Sequence, residues 1–446
     1  MKNQYHPSRR RFLAAATAAV ASPCIVSASA LGKDGSLPPS ERITIGMLGV
    51  GNRGNSSIRA LHPLPEAQIV AVADPRQRRR EMTQAHVNGT YAKRANKATY
   101  KACDAYHDFR DLLARADIDA VWGTAPDHWH GVLYNLALEA GKDMYGEKPL
   151  TRWIAQGVTV RDAVRRHGRV FQTGTQQRSC PDFRHACELA RNGYLGKVHT
   201  VCVGAPGGRA YDVEPPCDPP PGFDYDMWTG PAPMIPFDKK RCEWLAMYMI
   251  SHYCAGFITN WGVHHLDIAG WGCPEIFDKT FEIKGQGTMP EGGMTDTWIG
   301  WQAEYLYKSG LKMSFTNSGN PNKQGCRFEG DQGWVHVNRQ GIWAEPASLL
   351  TVKMKPDDTH LHASPYYGDK YGYTSHSADF LQCVRTRQDP VSTVESGHAA
   401  STLGNVADIA LHLERKLKWD PKAGCFIGDP EANNMLSRPT RSPWTM

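Results

Sequence analysis

The sequence predicts an α/β chain of two domains: an N-terminal doubly wound parallel sheet, then a C-terminal α/β domain on an open, mostly antiparallel sheet. Three observations predict it. Short apolar runs alternate with helical segments between residues 41 and 174. The first run, Ile43 to Leu48, ends in a glycine-rich turn, Gly49-Val-Gly51-Asn-Arg-Gly54. Beyond Thr297, alternating strand-like segments follow one another closely, as in antiparallel sheets.

The elements follow in order. After the glycines comes a helical segment, Ser56 to Leu61, and a second apolar run, Ile69 to Ala73, ending in Asp74. Arg76, Arg78, Arg79 and Arg80 open a basic helix. Residues 86–105 have no clear period and read as an insertion, before a short amphipathic helix at Asp108 to Leu113. Asp119 to Thr124 and Asp143 to Pro149 are further strands, separated by a helix through Ala140, and Arg169 to Gly174 is the last of this domain. A helix from Pro181 to Asn192 leads to a strand, Val198 to Val203, and a Pro/Gly-rich loop to Gly222. Strands are expected at 297–307, 311–316, 325–329 and 333–337, and a helix from Glu395 to Leu417. The expected domains are a leader at 1–30, a linker at 31–40, a doubly wound domain at 41–174, a second α/β domain at 175–420, and a tail at 421–446.

The turn carries the first chemical signal. A strand, a turn too tight for side chains and a helix N-terminus form the Rossmann arrangement, in which unpaired amides and the helix dipole hold a pyrophosphate. Asp74 lies 20 residues past Gly54, the distance at which a carboxylate reaches a ribose hydroxyl. A doubly wound domain with an unused glycine turn is the bland alternative. Asp74 favours NAD over NADP because a 2′-phosphate would be repelled, although the four arginines could meet one.

Composition limits the partners. The chain has 446 residues and a net charge of +6. Lys2, Arg9, Arg10 and Arg11, with no acid before residue 31, account for four of those charges and leave +2. No basic face remains for nucleic acid. Ser8-Arg-Arg-Arg-Phe-Leu13, a short apolar stretch and Ala28-Ser-Ala30 have the form of a cleavable twin-arginine export signal, which predicts a periplasmic protein. An uncleaved anchor is the alternative; no stable membrane anchor is expected after cleavage. Of 12 cysteines one, Cys24, is in the leader. The odd remainder, without a C-x-x-C pair, points to buried thiols rather than zinc or a disulfide framework. No metal site is expected.

Five segments together resemble the Gfo/Idh/MocA oxidoreductase family, the group of glucose–fructose oxidoreductase and inositol dehydrogenase. They are the glycine turn, Asp74-Pro75, Thr124-Ala-Pro126-Asp-His-Trp-His130, Glu147-Lys148-Pro149 and Asn260-Trp-Gly-Val-His264-His-Leu-Asp267. The resemblance implies hydride exchange between a sugar or polyol and NAD, and a homodimer or homotetramer assembled through the C-terminal sheet. It implies that Gly49, Gly51, Asn52, Arg53, Gly54, Asp74, Thr124, Pro126, His130, Glu147 and Lys148 hold the cofactor.

Oxidising a secondary alcohol needs a base for the hydroxyl proton and positive charge near the developing alkoxide. Lys148 and His264 are the candidates, with Lys148 otherwise a plain surface residue. In inositol-dehydrogenase-like members an aspartate stands four residues before the histidine, where this chain has Asn260. An asparagine orients an imidazole but adds no charge, so Lys148 or His265 is expected to carry more of the proton transfer. Arg178, Trp261, His265 and Asp267 are further substrate-side candidates. Arg178 and Arg241 are as well explained by ion pairing, and Asp267 equally by a capping or pairing role. Tyr225, Trp228, Tyr248 and Trp261 form either a sugar-stacking wall or core.

Two other functions fit the pattern. A tightly held cofactor would also serve a redox-neutral glycoside hydrolase that oxidises, eliminates and re-reduces. A relative that binds sugar without reacting would keep the same fold.

Overall fold

The computed structural model describes residues 37–317, 323–365 and 369–446. The leader, with its paired arginines, Ala28-Ser-Ala30 and Cys24, lies outside the described residues, as does the linker up to residue 36. The described residues ahead of Ile43 belong to a separate unit, in which Pro39–Glu41 make a 3-10 turn.

The first sheet has six parallel strands: β1 (Ile43–Leu48), β2 (Ala67–Ala73), β3 (Asp104–Tyr106), β4 (Ala120–Gly123), β5 (Asp143–Gly146) and β6 (Phe171–Thr173). Their order is β3-β2-β1-β4-β5-β6. The reversal lies between β1 and β4, so a crevice opens at their carboxyl ends. Helices α1 (Asn52–Leu61), α2 (Gln77–Arg94), α3 (Phe109–Leu113), α4 (His130–Glu139) and α5 (Ile154–His167) connect the strands. One departure from the sequence reading lies here. Residues 86–94 are the second half of α2, and 104–106 are the edge strand β3. The buried stripe of α2 is only Thr83, Val87, Tyr91 and Ala92, too sparse to show a period among so many charges.

The second sheet has nine strands, ordered β13-β12-β11-β7-β10-β9-β8-β14-β15. Its members are β7 (Val198–Ala205), β8 (Phe281–Thr288), β9 (Gly300–Tyr307), β10 (Lys312–Asn317), β11 (Gly325–Gly330), β12 (Gly333–Asn338), β13 (Gly341–Glu345), β14 (Leu417–Asp420) and β15 (Cys425–Phe426). All its pairings are antiparallel except β7 with β10. Alternation sets the faces: Trp301, Ala303, Tyr305 and Tyr307 of β9 are buried, while Gln302, Glu304 and Leu306 point out. On the buried face lie α6 (Pro181–Arg191), α7 (Gly262–Gly272) and, further on, α9 (Val394–Leu413). The last of these ends earlier than the sequence implied. Glu414 turns left-handed with φ +49, and Leu417 already belongs to β14.

Helix α8 (Tyr373–Thr386) returns to the first sheet. There Phe380 meets Trp122 edge-on at 5.2 Å, and Trp122 stacks on Tyr145 at 4.3 Å. Helices α1, α2 and α8 thus cover one face, and α3, α4 and α5 the other. Trp444 also packs against this half, 4.7 Å from Trp129. Among the described residues no helix is long and apolar enough to cross a membrane.

Candidate active site

The crevice at the strand ends is a cavity of about 790 Å³, and its floor begins at the glycine turn. Gly49 has φ +84, and a side chain there would press a Cβ against the Ala125 amide at 2.9 Å. Helix α1 starts at Asn52, so Gly54 falls in its first turn. A Cβ on Gly54 would collide with the Gly49 carbonyl and sit 2.9 Å from Thr124 Oγ1. Gly51 is the N-cap with no side-chain cap, leaving the first-turn amides without an internal partner. Asp74, at the end of β2, is buried. Its Oδ2 accepts from Val50 N at 2.9 Å and its Oδ1 from Arg76 N at 2.9 Å. Burial pushes its carboxyl up from the ordinary range, while Arg79 beside it opposes the shift. Asn52, Arg53 and Arg79 line the same floor.

Further along, β4 and β5 bring in the second group. The Thr124 hydroxyl donates to the Gly49 carbonyl, and Pro126 precedes a single 3-10 turn, Asp127–Trp129. The His130 ring lies between the Pro149 and Ala125 carbonyls at 2.7 and 3.0 Å, bracing the turn it follows. Glu147 takes the Arg53 guanidinium as an ion pair. Lys148 crosses to the C-terminal half, where Nζ donates to the Asn260 carbonyl at 2.8 Å and to its Oδ1 at 3.2 Å. An ammonium has three donors, so one remains. Burial lowers the Lys148 pKa, and Asp127 and Glu147 oppose it.

His264 and Trp261 line the cavity from the start of α7, their rings 5.5 Å apart. His264 Nδ1 is buried with no protein partner. Burial first, then Arg339 and Lys148, holds its pKa well below 6.5, so the imidazole stays neutral.

Three candidates do not reach the cavity. His265 faces the opposite way, with Nδ1 2.7 Å from the Gly204 carbonyl, and burial lowers its pKa to about 3. Arg178 and Asp267 form a two-pronged ion pair at 2.7 Å for each contact, with relative exposures of 7% and 0%. Helical spacing put Asp267 near His264 in sequence, yet its carboxylate is spent on Arg178. His265, Arg178 and Asp267, expected on the substrate side, therefore make buried contacts outside the cavity lining. Arg241 likewise pairs with Asp238 at 2.9 Å. Of the aromatics, Trp228, Tyr248 and Trp261 line the cavity; Tyr225 is core, its hydroxyl on the Ile235 carbonyl. Among the described residues no three His, Cys, Asp or Glu side chains gather as metal ligands would.

Several residues in or behind the wall were not among the catalytic or binding candidates. Asp127 is 4% exposed, and both its carboxylate oxygens accept from Asn260 Nδ2, at 3.2 and 3.0 Å. Tyr373, at the start of α8, lies under the Arg53 guanidinium at 4.5 Å, and Arg339 stacks on Trp261 at 4.7 Å. A roof from the 206–257 stretch, including Trp244, Met247 and Phe257, covers the cavity. It is fastened to the Asp74 end. Gln77 N donates to Gly222 O at 2.8 Å, Asp224 N donates to Pro75 O at 3.1 Å, and Arg76 stacks on Phe223 at 3.9 Å. Only Asp127 had a local signal, its place inside Thr124 to His130; the others arrive from distant segments.

Two family descriptions match this chain: an oxidoreductase family's NAD-binding Rossmann fold over residues 43–175, and its C-terminal alpha/beta domain over residues 210–446. The chain belongs to the Gfo/Idh/MocA oxidoreductase family. It is 27% identical over 379 residues to the uncharacterized oxidoreductase YrbE of Bacillus subtilis, covering 83% of this chain and 95% of that protein. It is 22% identical over 389 residues to myo-inositol 2-dehydrogenase of Thermotoga maritima, covering 85% and 99%. The fold is shared with scyllo-inositol dehydrogenase from Lactobacillus casei, solved with NAD(H) and scyllo-inositol, at TM-score 0.59 and 16% identity over 84% of this chain and 99% of that one.

The NAD-binding domain of this Gfo/Idh/MocA oxidoreductase has a turn and an acid whose chemistry suits its cofactor. The close-packed glycines of the turn and the open amides of α1 suit a pyrophosphate, and Asp74 suits a ribose diol.

Proposed function

We propose that this oxidoreductase is exported and exchanges hydride between a hydroxyl-bearing carbon of a sugar or polyol and a nicotinamide cofactor that it keeps bound between turnovers. The observation that carries the reading is the convergence of Lys148, Asn260 and His264 on the cavity whose floor is the glycine turn.

The cofactor, held by the turn and Asp74, supplies the hydride acceptor. The chain does the rest. The third Lys148 donor meets the substrate hydroxyl and stabilises the oxygen as its negative charge grows. His264, held neutral, has a lone pair to take the hydroxyl proton. Trp261, Tyr248 and Trp244 offer flat apolar faces to the C–H side of a ring, which favours a cyclic polyol or pyranose. Relatives named for inositol oxidation support this class. The fastened roof supports retention, and the twin-arginine leader supports export, since that route carries folded proteins. Assembly through the outer face of the nine-stranded sheet is the matching quaternary proposal; Leu306 and Trp343 stand exposed there. A dimer or tetramer in solution would support it, and a monomer would remove it.

One experiment decides most of this. The protein is purified without added nucleotide, denatured, and the released cofactor identified; NAD supports retention, and none argues against it. The native protein is then offered sugars and cyclitols while the near-ultraviolet absorbance of reduced nicotinamide is followed. Reduced cofactor accumulates if the reading is right. Glycoside cleavage without net absorbance change would identify the redox-neutral hydrolase instead, and binding without reaction a sugar-binding relative. Lys148→Ala should lower turnover by about 10²- to 10⁴-fold. Recovery of the protein from the periplasm, beginning after Ala30, tests export.

A further inference from the structure

Lys148 is buried, and burial alone would turn its ammonium into a neutral amine. The side chains around it show what opposes that. Glu147 is committed to Arg53, whose positive charge offsets it. His264 is neutral, and the Cys254 thiol is pushed well above its usual value and stays protonated. Asn260 has no charge. Asp127 remains, and among the described residues no lysine or arginine pairs with it within ion-pair distance.

The link between Asp127 and Lys148 is the Asn260 amide. Its NH₂ donates to both Asp127 oxygens, at 3.2 and 3.0 Å, while its oxygen accepts from Lys148 Nζ at 3.2 Å. The amide has one workable orientation: turned over, its oxygen would face a carboxylate and its NH₂ an ammonium. The dipole is therefore locked with its negative end on the lysine.

We propose that Asp127 is a positioning residue which, acting through the Asn260 amide, supplies the negative charge that keeps Lys148 an ammonium and holds it at the reacting oxygen. The proposal rests on the oxidoreductase reading given above for the role of the ammonium, but not for the charge relay itself. Asp127 comes from the nucleotide-binding half and Asn260 from the C-terminal half, so the relay also joins the two.

The test moves the carboxylate. The variants are Asp127→Asn, Asp127→Ser and the exchange Asp127→Asn/Asn260→Asp, all as full-length protein purified with whatever cofactor it retains. The first readout needs no substrate: acetylation of Lys148 by acetic anhydride, followed by peptide mass spectrometry across pH, since only the neutral amine reacts. Asp127→Asn should move the midpoint of Lys148 reactivity down by about one pH unit or more. Asp127→Ser should move it the same way, which keeps the test available if one variant folds poorly. The exchange variant should bring it back. With a polyol as substrate, Asp127→Asn should lower kcat about tenfold or more, leave the amount of NAD retained through purification unchanged and shift the high-pH limb of kcat downward. The exchange should restore both. An unmoved midpoint, or an exchange variant that behaves like Asp127→Asn alone, would overturn the proposal. Midpoints that move as expected in a protein that oxidises no polyol would leave the relay standing and overturn the functional reading.

Discussion

Asp127 and Asp267 are both buried aspartates, one in the Thr124–His130 motif and one in Asn260–Asp267, and their partners give them different work. Asp267 is matched by Arg178 in a closed two-pronged pair, so its charge goes no further. Removing one member of such a pair strands the other, at a cost of about 3–5 kcal/mol. Asp267→Ala should therefore lower the free energy of unfolding by about that amount in urea titration, while the folded fraction keeps its turnover. His264 makes a second residue-scale prediction. A base must be neutral to act, and its folded pKa lies well below 6.5. Activity should then persist as pH falls below 6.5, and the acid limb of kcat/KM should not appear near the ordinary histidine value. These distinctions were invisible in the sequence. Spacing placed His264, His265 and Asp267 together, but only the direction each side chain takes from α7 separates a wall residue from a brace.

At the scale of elements, the glycine turn was the most legible part of the chain because its constraints are local. Gly49, Gly51 and Gly54 answer to atoms within the same strand–helix unit, or to the neighbouring strand end and helix. Gly54→Ala should show this. Its Cβ would meet the Gly49 carbonyl, which is backbone and cannot swing aside, so α1 must shift and the turn must open. The overpacking should cost about 1–3 kcal/mol, and NAD affinity measured by fluorescence titration should fall further than stability does. Helix α2 was less legible for the opposite reason. It lies on the surface with few buried positions, so its amphipathic period is faint although the helix is long. Tyr373, which enters the wall, and Arg339, which backs Trp261, had no signal at all, since each comes from an element far along the chain.

Across the whole molecule, buried histidines tie stability to pH. Burial lowers His128 and His265 to about 3, well under the unfolded value near 6.5. In both, the folded state binds fewer protons than the unfolded state between those values. Stability from these sites is complete above about pH 6.5 and is lost as pH falls toward 3. The urea midpoint should accordingly hold level above neutrality and decline steadily between about pH 6.5 and pH 4. Fold class was readable from alternation and period, because both sheets obey them. What could not be read was the assignment of late helices to early sheets.

Helix α8 gives that assignment a practical meaning. One face of the six-stranded sheet is finished by Phe380 and Leu381, contributed long after β6 has been made. The nucleotide-binding half is thus not a detachable module, although it looks like one along the chain. A chimaera that swaps residues 43–175 alone for those of a relative would take Trp122 and Tyr145 away and set this chain's Phe380 and Leu381 against a foreign sheet. Recombination between such enzymes, in the laboratory or in evolution, should succeed where the donor's equivalent of α8 travels with its sheet, and leave insoluble protein where it does not.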